Sequence, residues 1–452
     1  MTSATRPLPG PARDYHFPRF ERFQLSNGLS VIVAPVRKLP VVSVMAVIDA
    51  TALDDPPGLE GVSELTAQAL REGTMARDGI QLALDLEKLG TSIEAGADWD
   101  SSVASMTVLE SRLDEAFTIF AEVLTSPAFS EQDIERLKAE RLAERMQILA
   151  EPRGLADESF ERFIYAPGSR YSEPSSGTSA SVSRITRQNV VDFYRRGYVP
   201  AACTLIFAGD LSVDEARRLA ESTLGDWAGA RAGSVRPADT RARQDRAVEI
   251  VAKPDAAQSE IRIGHVGIPR SHADYFDIVV MNAVLGGLFS SRINLNLREA
   301  HGYTYGASSH YDWRRQSGPF VISTAVESEV TGEAIAETLK EIDRMRSEEV
   351  APDELTLATS YLDGVFPIRY ETTAAIASAL AILATFGLPE DYYDTYRSRI
   401  TGVTAAGVLA AARQHVMPQQ LQVTVVGNPE IVKAPVEKLG IGPLSVRESL
   451  DA

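Results

Sequence analysis

The spacing of hydrophobic positions changes from strand-like to helix-like within the first 125 residues. Residues 20–25 and 29–34 flank Ser26-Asn27-Gly28, and Asn-Gly between two apolar runs is typical of a β-hairpin. A β-branched run at residues 41–48 predicts a third strand. Helical spacing then follows at residues 58–70, 80–89, 113–124 and 130–149. Strands followed by helices and further strands indicate an α+β fold.

The chain contains an internal repeat. Residues 183–186 read Ser-Arg-Ile-Thr and lead through a helical run to an apolar strand that ends at Gly209-Asp210. The same order starts 215 residues later at Ser398 and ends at Gly427-Asn428. Such self-similarity indicates two related units.

A polar stretch without periodicity separates the two copies, as expected of a linker. We therefore predict an N-terminal domain at residues 1–228, a linker at 229–246 and a C-terminal domain at 247–452. Each domain is expected to be a mainly antiparallel sheet with helices packed on one face.

The composition excludes several classes of protein. The formal net charge of −17 argues against binding to nucleic acid or to an anionic membrane surface. The single cysteine, Cys203, excludes an intrachain disulfide framework and a Cys-rich zinc ribbon. Seven lysines against 38 arginines hint at a GC-rich bacterial genome.

Neither residues 1–15 nor the one uncharged apolar stretch of the chain predicts a membrane protein. Residues 1–15 contain no apolar core of a signal peptide, so a cytoplasmic location is expected. Residues 372–389 are uncharged over a length close to a membrane span, but they are rich in Ala and Thr. They also stop at Gly387-Leu388-Pro389, which is a helix-ending signal, so we predict a buried core helix.

Short motifs in both halves resemble those of one peptidase family. In the N-terminal half they are Leu25-Ser26-Asn27-Gly28-Leu29, Pro57-Gly58-Leu59 and Glu72-Gly73-Thr74. In the C-terminal half they are Leu285-Gly286-Gly287, Ser290-Ser291-Arg292 and the stretch from Leu297-Arg298-Glu299 through Gly302-Tyr303-Thr304-Tyr305. Their order resembles the pitrilysin/insulinase-type zinc peptidases and the mitochondrial processing peptidases over nearly the whole chain.

The zinc motif of that family is degenerate here. Catalytic members carry H-x-x-E-H, whose two histidines bind Zn²⁺ and whose glutamate is the general base. The corresponding window reads Gly61-Val62-Ser63-Glu64-Leu65, so the glutamate is present and both histidines are absent. No histidine lies between residues 17 and 264. We expect this chain to hold no zinc, and any zinc to belong to a partner subunit.

The remaining residues of this window have ordinary structural interpretations. Leu65 shares one helix face with Val62 and Ala69, which favours core packing. Glu64 is expected to be a solvated or ion-paired carboxylate rather than a catalytic base. The resemblance also implies a third ligand within residues 140–147, and the alternatives Glu140, Glu144 and Arg145 stay open.

The second-domain motif is complete. The resemblance implies that Arg298, at a helix end, and Tyr305, on the strand after a turn at Gly302, reach the substrate at the zinc. A guanidinium donates hydrogen bonds to substrate oxygens, and a phenol stabilises an oxyanion. Alternatively, Arg298 caps a helix C-terminus and Tyr305 packs in a sheet.

The resemblance implies a non-catalytic, substrate-binding and transition-state-stabilising subunit of a heterodimeric zinc metalloendopeptidase. Such a complex would cleave peptides or unfolded polypeptides. This chain would be inactive alone, and Arg298 and Tyr305 would act in trans with a paralogous subunit that carries H-x-x-E-H. The alternative is a scaffold protein that has the peptidase fold and no proteolytic role.

Overall fold

The computed structural model describes residues 14–230 and 242–448. The N-terminal half contains six strands: β1 (Glu21–Gln24), β2 (Ser30–Pro35), β3 (Val41–Ile48), β4 (Glu94–Ala97), β5 (Ser102–Leu109) and β6 (Cys203–Gly209). Its helices are α1 (Val62–Ala69), α2 (Gly79–Lys88), α3 (Leu113–Thr125), α4 (Glu131–Ala150), α5 (Pro152–Ile164), α6 (Ser179–Arg184), α7 (Arg187–Gly197) and α8 (Val213–Leu224).

These six strands form one sheet in the order β1-β2-β6-β3-β5-β4. Only the β2–β6 pair is parallel. Strand β4 lies at one edge and pairs with β5 alone, so its outer backbone groups have no neighbouring strand. The apolar side chains of β3 at Val42, Val44 and Ala46 join the core beneath the helices of this half.

The C-terminal half repeats this architecture. Its strands are β7 (Ala247–Ala252), β8 (Gln258–Val266), β9 (Ala307–Tyr311), β10 (Pro319–Glu327), β11 (Gln422–Gly427) and β12 (Leu444–Arg447). Its helices are α9 (Tyr275–Asn282), α10 (Arg292–Asn294), α11 (Thr331–Ser347), α12 (Pro352–Arg369), α13 (Thr373–Phe386), α14 (Tyr392–Thr401), α15 (Ala405–His415) and α16 (Pro429–Lys438). The sheet order is β12-β7-β11-β8-β10-β9. The predicted α+β class with two related sheets is confirmed.

The two halves exchange one helix each. Helix α13 of the C-terminal half packs against β3 and β6, on the opposite face of the sheet from its own helices. Helix α5 of the N-terminal half packs against β8 and β11 in the same way. Ile206 and Ala208 of β6 consequently share one buried cluster with Ile376 and Leu380 of α13. The sequence did not predict this exchange, which makes the two halves one packed body.

Two predictions about connecting and apolar segments have different outcomes. Part of the predicted linker, residues 231–241, lies outside the described residues, and the boundaries at 228 and 247 stay predictions. The predicted core helix at 372–389 is α13, which ends at Gly387 with φ +61° and is buried along one side. The helical run over residues 275–300 is long and apolar enough for a membrane span, but 61% of its most apolar window is buried in the fold.

Candidate functional site

Helix α1 begins at Gly61 in a conformation that excludes a side chain. Gly61 has φ +97°, and a Cβ atom there would lie 2.4 Å from the carbonyl oxygen of Ser176. A histidine at this position would therefore require both a strained backbone and movement of the loop that contains Ser176.

Asp55, which precedes α1 by several residues in the sequence, caps the start of this helix. Its carboxylate accepts the N–H groups of Gly61 at 2.7 Å and Ser63 at 2.9 Å, and it pairs with Arg170 at 3.3 Å. Burial raises the pKa of Asp55 to about 6. Because it satisfies N–H groups that a helix start leaves free, Asp55 holds Gly61 against the neighbouring loop.

The carboxylate of Glu64 is hydrogen-bonded to three donors within the chain. One oxygen accepts from the guanidinium of Arg141 at 3.0 Å and from the amide of Gln68 at 2.9 Å. The other accepts the backbone N–H of Ala97, on the edge strand β4, at 2.7 Å. Only 16% of the Glu64 side chain is exposed. Glu64 is therefore an ion-paired carboxylate that accepts three hydrogen bonds from protein donors.

Leu65 lies at the second degenerate position. It is 3% exposed and belongs to the apolar core of the N-terminal half together with Val62 and Ala69. An imidazole there would replace packed hydrocarbon with polar nitrogen atoms that lack partners. Together, Gly61, Glu64 and Leu65 do not fit a zinc ion at the family position.

The residue of α4 that contacts Glu64 is Arg141. It is not one of the three residues that the sequence left open for the third zinc ligand. Glu144 instead binds the other guanidinium nitrogen of Arg141 at 3.1 Å, and Glu140 binds Arg136 at 2.8 Å. Arg145 is buried and pairs with Glu158 on α5. Arg141 therefore supplies the positive charge next to Glu64.

A groove follows the edge strand beside Glu64. One cavity of about 340 Å³ is lined by Glu64 and residues 94–98. It shares Glu94 and Ser105 with a second cavity of about 550 Å³, whose opposite wall is α13. Apart from the N–H of Ala97, which Glu64 accepts, the edge of β4 borders this groove, and an open strand edge suits an added extended segment.

Arg298 and Tyr305 lie on an exposed segment of the C-terminal half. Arg298 is in a helical turn at Leu295–Ala300, where its guanidinium lies 4.5 Å from the ring centre of Phe289 and 3.5 Å from Glu299. Gly302 has φ +65° and forms the predicted turn. Tyr305 is 92% exposed and precedes β9, which begins at Ala307.

This placement corrects two expectations. Tyr305 is in a loop rather than on a strand, and it does not pack in a sheet. Among residues 14–230 and 242–448, no hydrogen bond or ion pair joins Arg298 or Tyr305 to Glu64 or to any other residue of the N-terminal half. Within one chain the two motifs therefore stay separate.

Comparisons with known proteins cover most of the chain. Residues 31–174 match the profile described as "Insulinase (Peptidase family M16)", and residues 184–362 match "Peptidase M16 inactive domain". An uncharacterized zinc protease of Streptomyces coelicolor is 22% identical over 83% of this chain and 82% of its own length. A protein of Helicobacter pylori named non-peptidase homolog YmxG is 22% identical over 81% of this chain and 84% of its own.

Solved structures share the fold. A peptidase M16 inactive domain from Pseudomonas fluorescens superposes with a TM-score of 0.85 at 24% identity, over 90% of this chain and 98% of that one. A protease from Helicobacter pylori gives a TM-score of 0.79 at 17% identity, over 90% and 99%. Residues 61–65, where both zinc-binding histidines are absent, lie within the part of the chain that matches the insulinase profile. The chain thus belongs to peptidase family M16 and has neither histidine of that family's zinc motif at residues 61–65.

Proposed function

We propose that this protein is the non-catalytic, substrate-binding and transition-state-stabilising subunit of a heterodimeric zinc metalloendopeptidase. The observation that carries the proposal is that Arg298 and Tyr305 lie close together on one segment of the surface, where the hydroxyl of Tyr305 is open to solvent. Tyr305 is 92% exposed and forms no hydrogen bond among the described residues. A packed scaffold does not require a tyrosine in that position.

Within the proposed complex, a paralogous chain with H-x-x-E-H faces this one and holds the zinc. The guanidinium of Arg298 positions substrate carbonyl or carboxylate oxygens, and the hydroxyl of Tyr305 donates to the oxyanion as it forms. The edge of β4 takes the peptide as an added strand, so that backbone hydrogen bonds give affinity with little sequence preference. We propose a cytoplasmic location in a bacterium for this complex.

Kinetics of the reconstituted heterodimer test the proposal. Tyr305→Phe should lower kcat by on the order of 10²-fold and leave KM nearly unchanged, because the lost hydrogen bond strengthens only in the transition state. Arg298→Ala should also raise KM, since the guanidinium holds the ground-state peptide as well. Tyr361→Phe is the matched control, because Tyr361 is another exposed tyrosine of the same half, 53% exposed on α12.

Wild-type turnover in the Tyr305→Phe complex would contradict the role in transition-state stabilisation. The scaffold alternative predicts a different result, in which both variants assemble with the partner and neither changes kcat or KM. Gel filtration and circular dichroism show whether each variant folds and assembles. The chain without its partner should hydrolyse no peptide.

A further inference from the structure

Three potential metal ligands lie close together in the C-terminal half. They are on different helices from the degenerate zinc motif, which is on α1 of the N-terminal half. His272 precedes helix α9, Asp274 is the residue at which α9 begins, and His415 is the last residue of α15. Helices α9 and α15 pack side by side, which brings these residues together across a sequence separation of more than 140 residues. One nitrogen or oxygen atom from each lies within 4.8 Å of the others.

The geometry is partly organised already. The Nε2 atom of His415 lies 2.7 Å from Oδ2 of Asp274, and Nδ1 of His272 lies 3.9 Å from the same oxygen. The two imidazole rings are 4.9 Å apart and nearly perpendicular. Ligands about 2.0–2.1 Å from a tetrahedral zinc are separated from each other by roughly 3.3 Å, a value between the two observed distances. Zinc binding would therefore lengthen the His415–Asp274 distance and shorten the His272–Asp274 distance.

One residue of the cluster is buried, and the other two are partly exposed to solvent. The side chain of His415 is 5% exposed, whereas those of His272 and Asp274 are 32% and 35% exposed. Behind His415, the ring of His265 donates to the carbonyl of Val266 and accepts the N–H of Met417. An ion can therefore enter from solvent, while the interior ligand is held in place.

Two aspartates contribute negative charge at this cluster. Asp277 lies one turn after Asp274 on α9, and burial together with the charge of Asp274 raises its pKa. Among the residues that the structure describes, neither aspartate pairs with a lysine or an arginine. Two carboxylates without a cationic side chain attract a metal cation.

We propose that His272, Asp274 and His415 bind one divalent transition-metal ion. Two imidazole nitrogens and one carboxylate oxygen form a donor set that suits Zn²⁺ and leaves a fourth position for water. Binding replaces the 3.1 Å hydrogen bond that the N–H of Asp274 gives to Nδ1 of His272. This ion would connect the start of α9 to the end of α15, away from the degenerate zinc motif.

Titration of the full chain with ZnCl2 tests this site. After removal of metal with EDTA and then of the EDTA, isothermal titration calorimetry should show one Zn²⁺ per chain. His272→Gln and Asp274→Asn should each weaken binding at least tenfold. The controls are His301→Gln, a histidine of the same half that lies 3.9 Å from Glu337, and Glu64→Gln at the family position. Neither control should change the affinity.

The site is overturned if the wild-type chain binds no Zn²⁺, or if His272→Gln binds it as tightly as wild type. Loss of binding in Glu64→Gln with retention in His272→Gln would place the ion at the family position instead. His415→Gln alters a buried ring, so the decisive variant is His272→Gln, whose fold circular dichroism checks. The assay needs no partner subunit and no peptidase activity, so it stands or falls separately from the proposed function.

Discussion

The zinc-motif position in the N-terminal half and the Arg298–Tyr305 segment in the C-terminal half differ in how far the fold uses their polar groups. Glu64 is 16% exposed and its two oxygens accept three hydrogen bonds, whereas Tyr305 is 92% exposed and its hydroxyl has no partner in the part of the chain that the structure describes. A polar group that is satisfied within the chain gains little from a ligand, but an unpartnered exposed one keeps its full capacity. We call the zinc-motif position the closed motif, because the polar groups of Glu64 are paired within the fold. We call the Arg298–Tyr305 segment the open motif, because the hydroxyl of Tyr305 is exposed to solvent.

Restoring the family motif should cause the largest effect. Gly61→His with Leu65→His should destabilise the protein by about 4 kcal/mol or more, because overpacking and buried unpartnered nitrogens add to backbone strain. Urea unfolding measures this. Gly61→Ala and Gly90→Ala form a matched pair, since Gly90 also has positive φ, at +71°, but a Cβ atom there would meet nothing within 4 Å. An equal loss of unfolding free energy in the two alanine variants would show that the carbonyl of Ser176 does not exclude a side chain at position 61.

Removing the cation next to Glu64 should have a smaller effect than restoring the motif. Arg141→Met leaves a mostly buried carboxylate without its counter-charge, and we expect a loss of about 1–3 kcal/mol in the free energy of unfolding. Glu64→Gln should relieve part of that loss, so the double variant should cost less than the sum of the single variants. Strict additivity would show that the two side chains are not coupled.

The pH dependence of stability provides a third test, at the junction between the halves. Asp100 is buried and accepts the backbone N–H of Arg315, and burial raises its pKa to about 6. Between about pH 4 and pH 6, Asp100 is therefore protonated in the folded state and ionised in the unfolded state. The contribution of Asp100 to the free energy of unfolding consequently falls as the pH rises through that range. The shift corresponds to about 2–3 kcal/mol.

Asp100→Asn removes this titration and keeps an acceptor for the N–H of Arg315. The wild-type chain should lose stability relative to Asp100→Asn between pH 4 and pH 6, with a constant difference above pH 7. Urea unfolding across this pH range measures the difference. A flat difference from pH 4 to pH 8 would show that Asp100 keeps its ordinary pKa.

The smallest effect on stability is expected at the open motif. Tyr305→Ala should change the free energy of unfolding by less than about 0.5 kcal/mol, because an exposed side chain without partners contributes little. Leu65→Ala is its counterpart at the closed motif and should cost about 2–5 kcal/mol. Both variants are compared by urea unfolding of the isolated chain. A large loss in Tyr305→Ala would remove the contrast between the motifs.

Local patterns predicted the local structure well. The hairpin around Asn27-Gly28 connects β1 to β2, because the turn residues and the flanking apolar runs lie within a few positions of one another. Helical spacing at residues 58–70 and 130–149 corresponds to α1 and α4. The motif at residues 61–65 likewise indicated the loss of both metal-binding histidines.

Long-range relations were not predictable in the same way. The apolar pattern of α13 predicts a buried helix, but it does not show whether the helix packs on the sheet of its own half or on that of the other half. The pairing of Arg141 with Glu64 joins residues 77 positions apart on two helices, and no local signal marks it. An acidic and a basic residue become partners only when the packing of α1 against α4 is known.

The exchange of α5 and α13 also constrains the order of folding during synthesis. Strand β6 completes the N-terminal sheet at Gly209, but α13, which covers the second face of that sheet, begins only at Thr373. At about 5–20 residues per second, a ribosome takes roughly ten to thirty seconds to make the intervening chain. During that interval Ile206 and Ala208 lack their cover, so the nascent N-terminal half presents an apolar surface to chaperones until translation has passed α13.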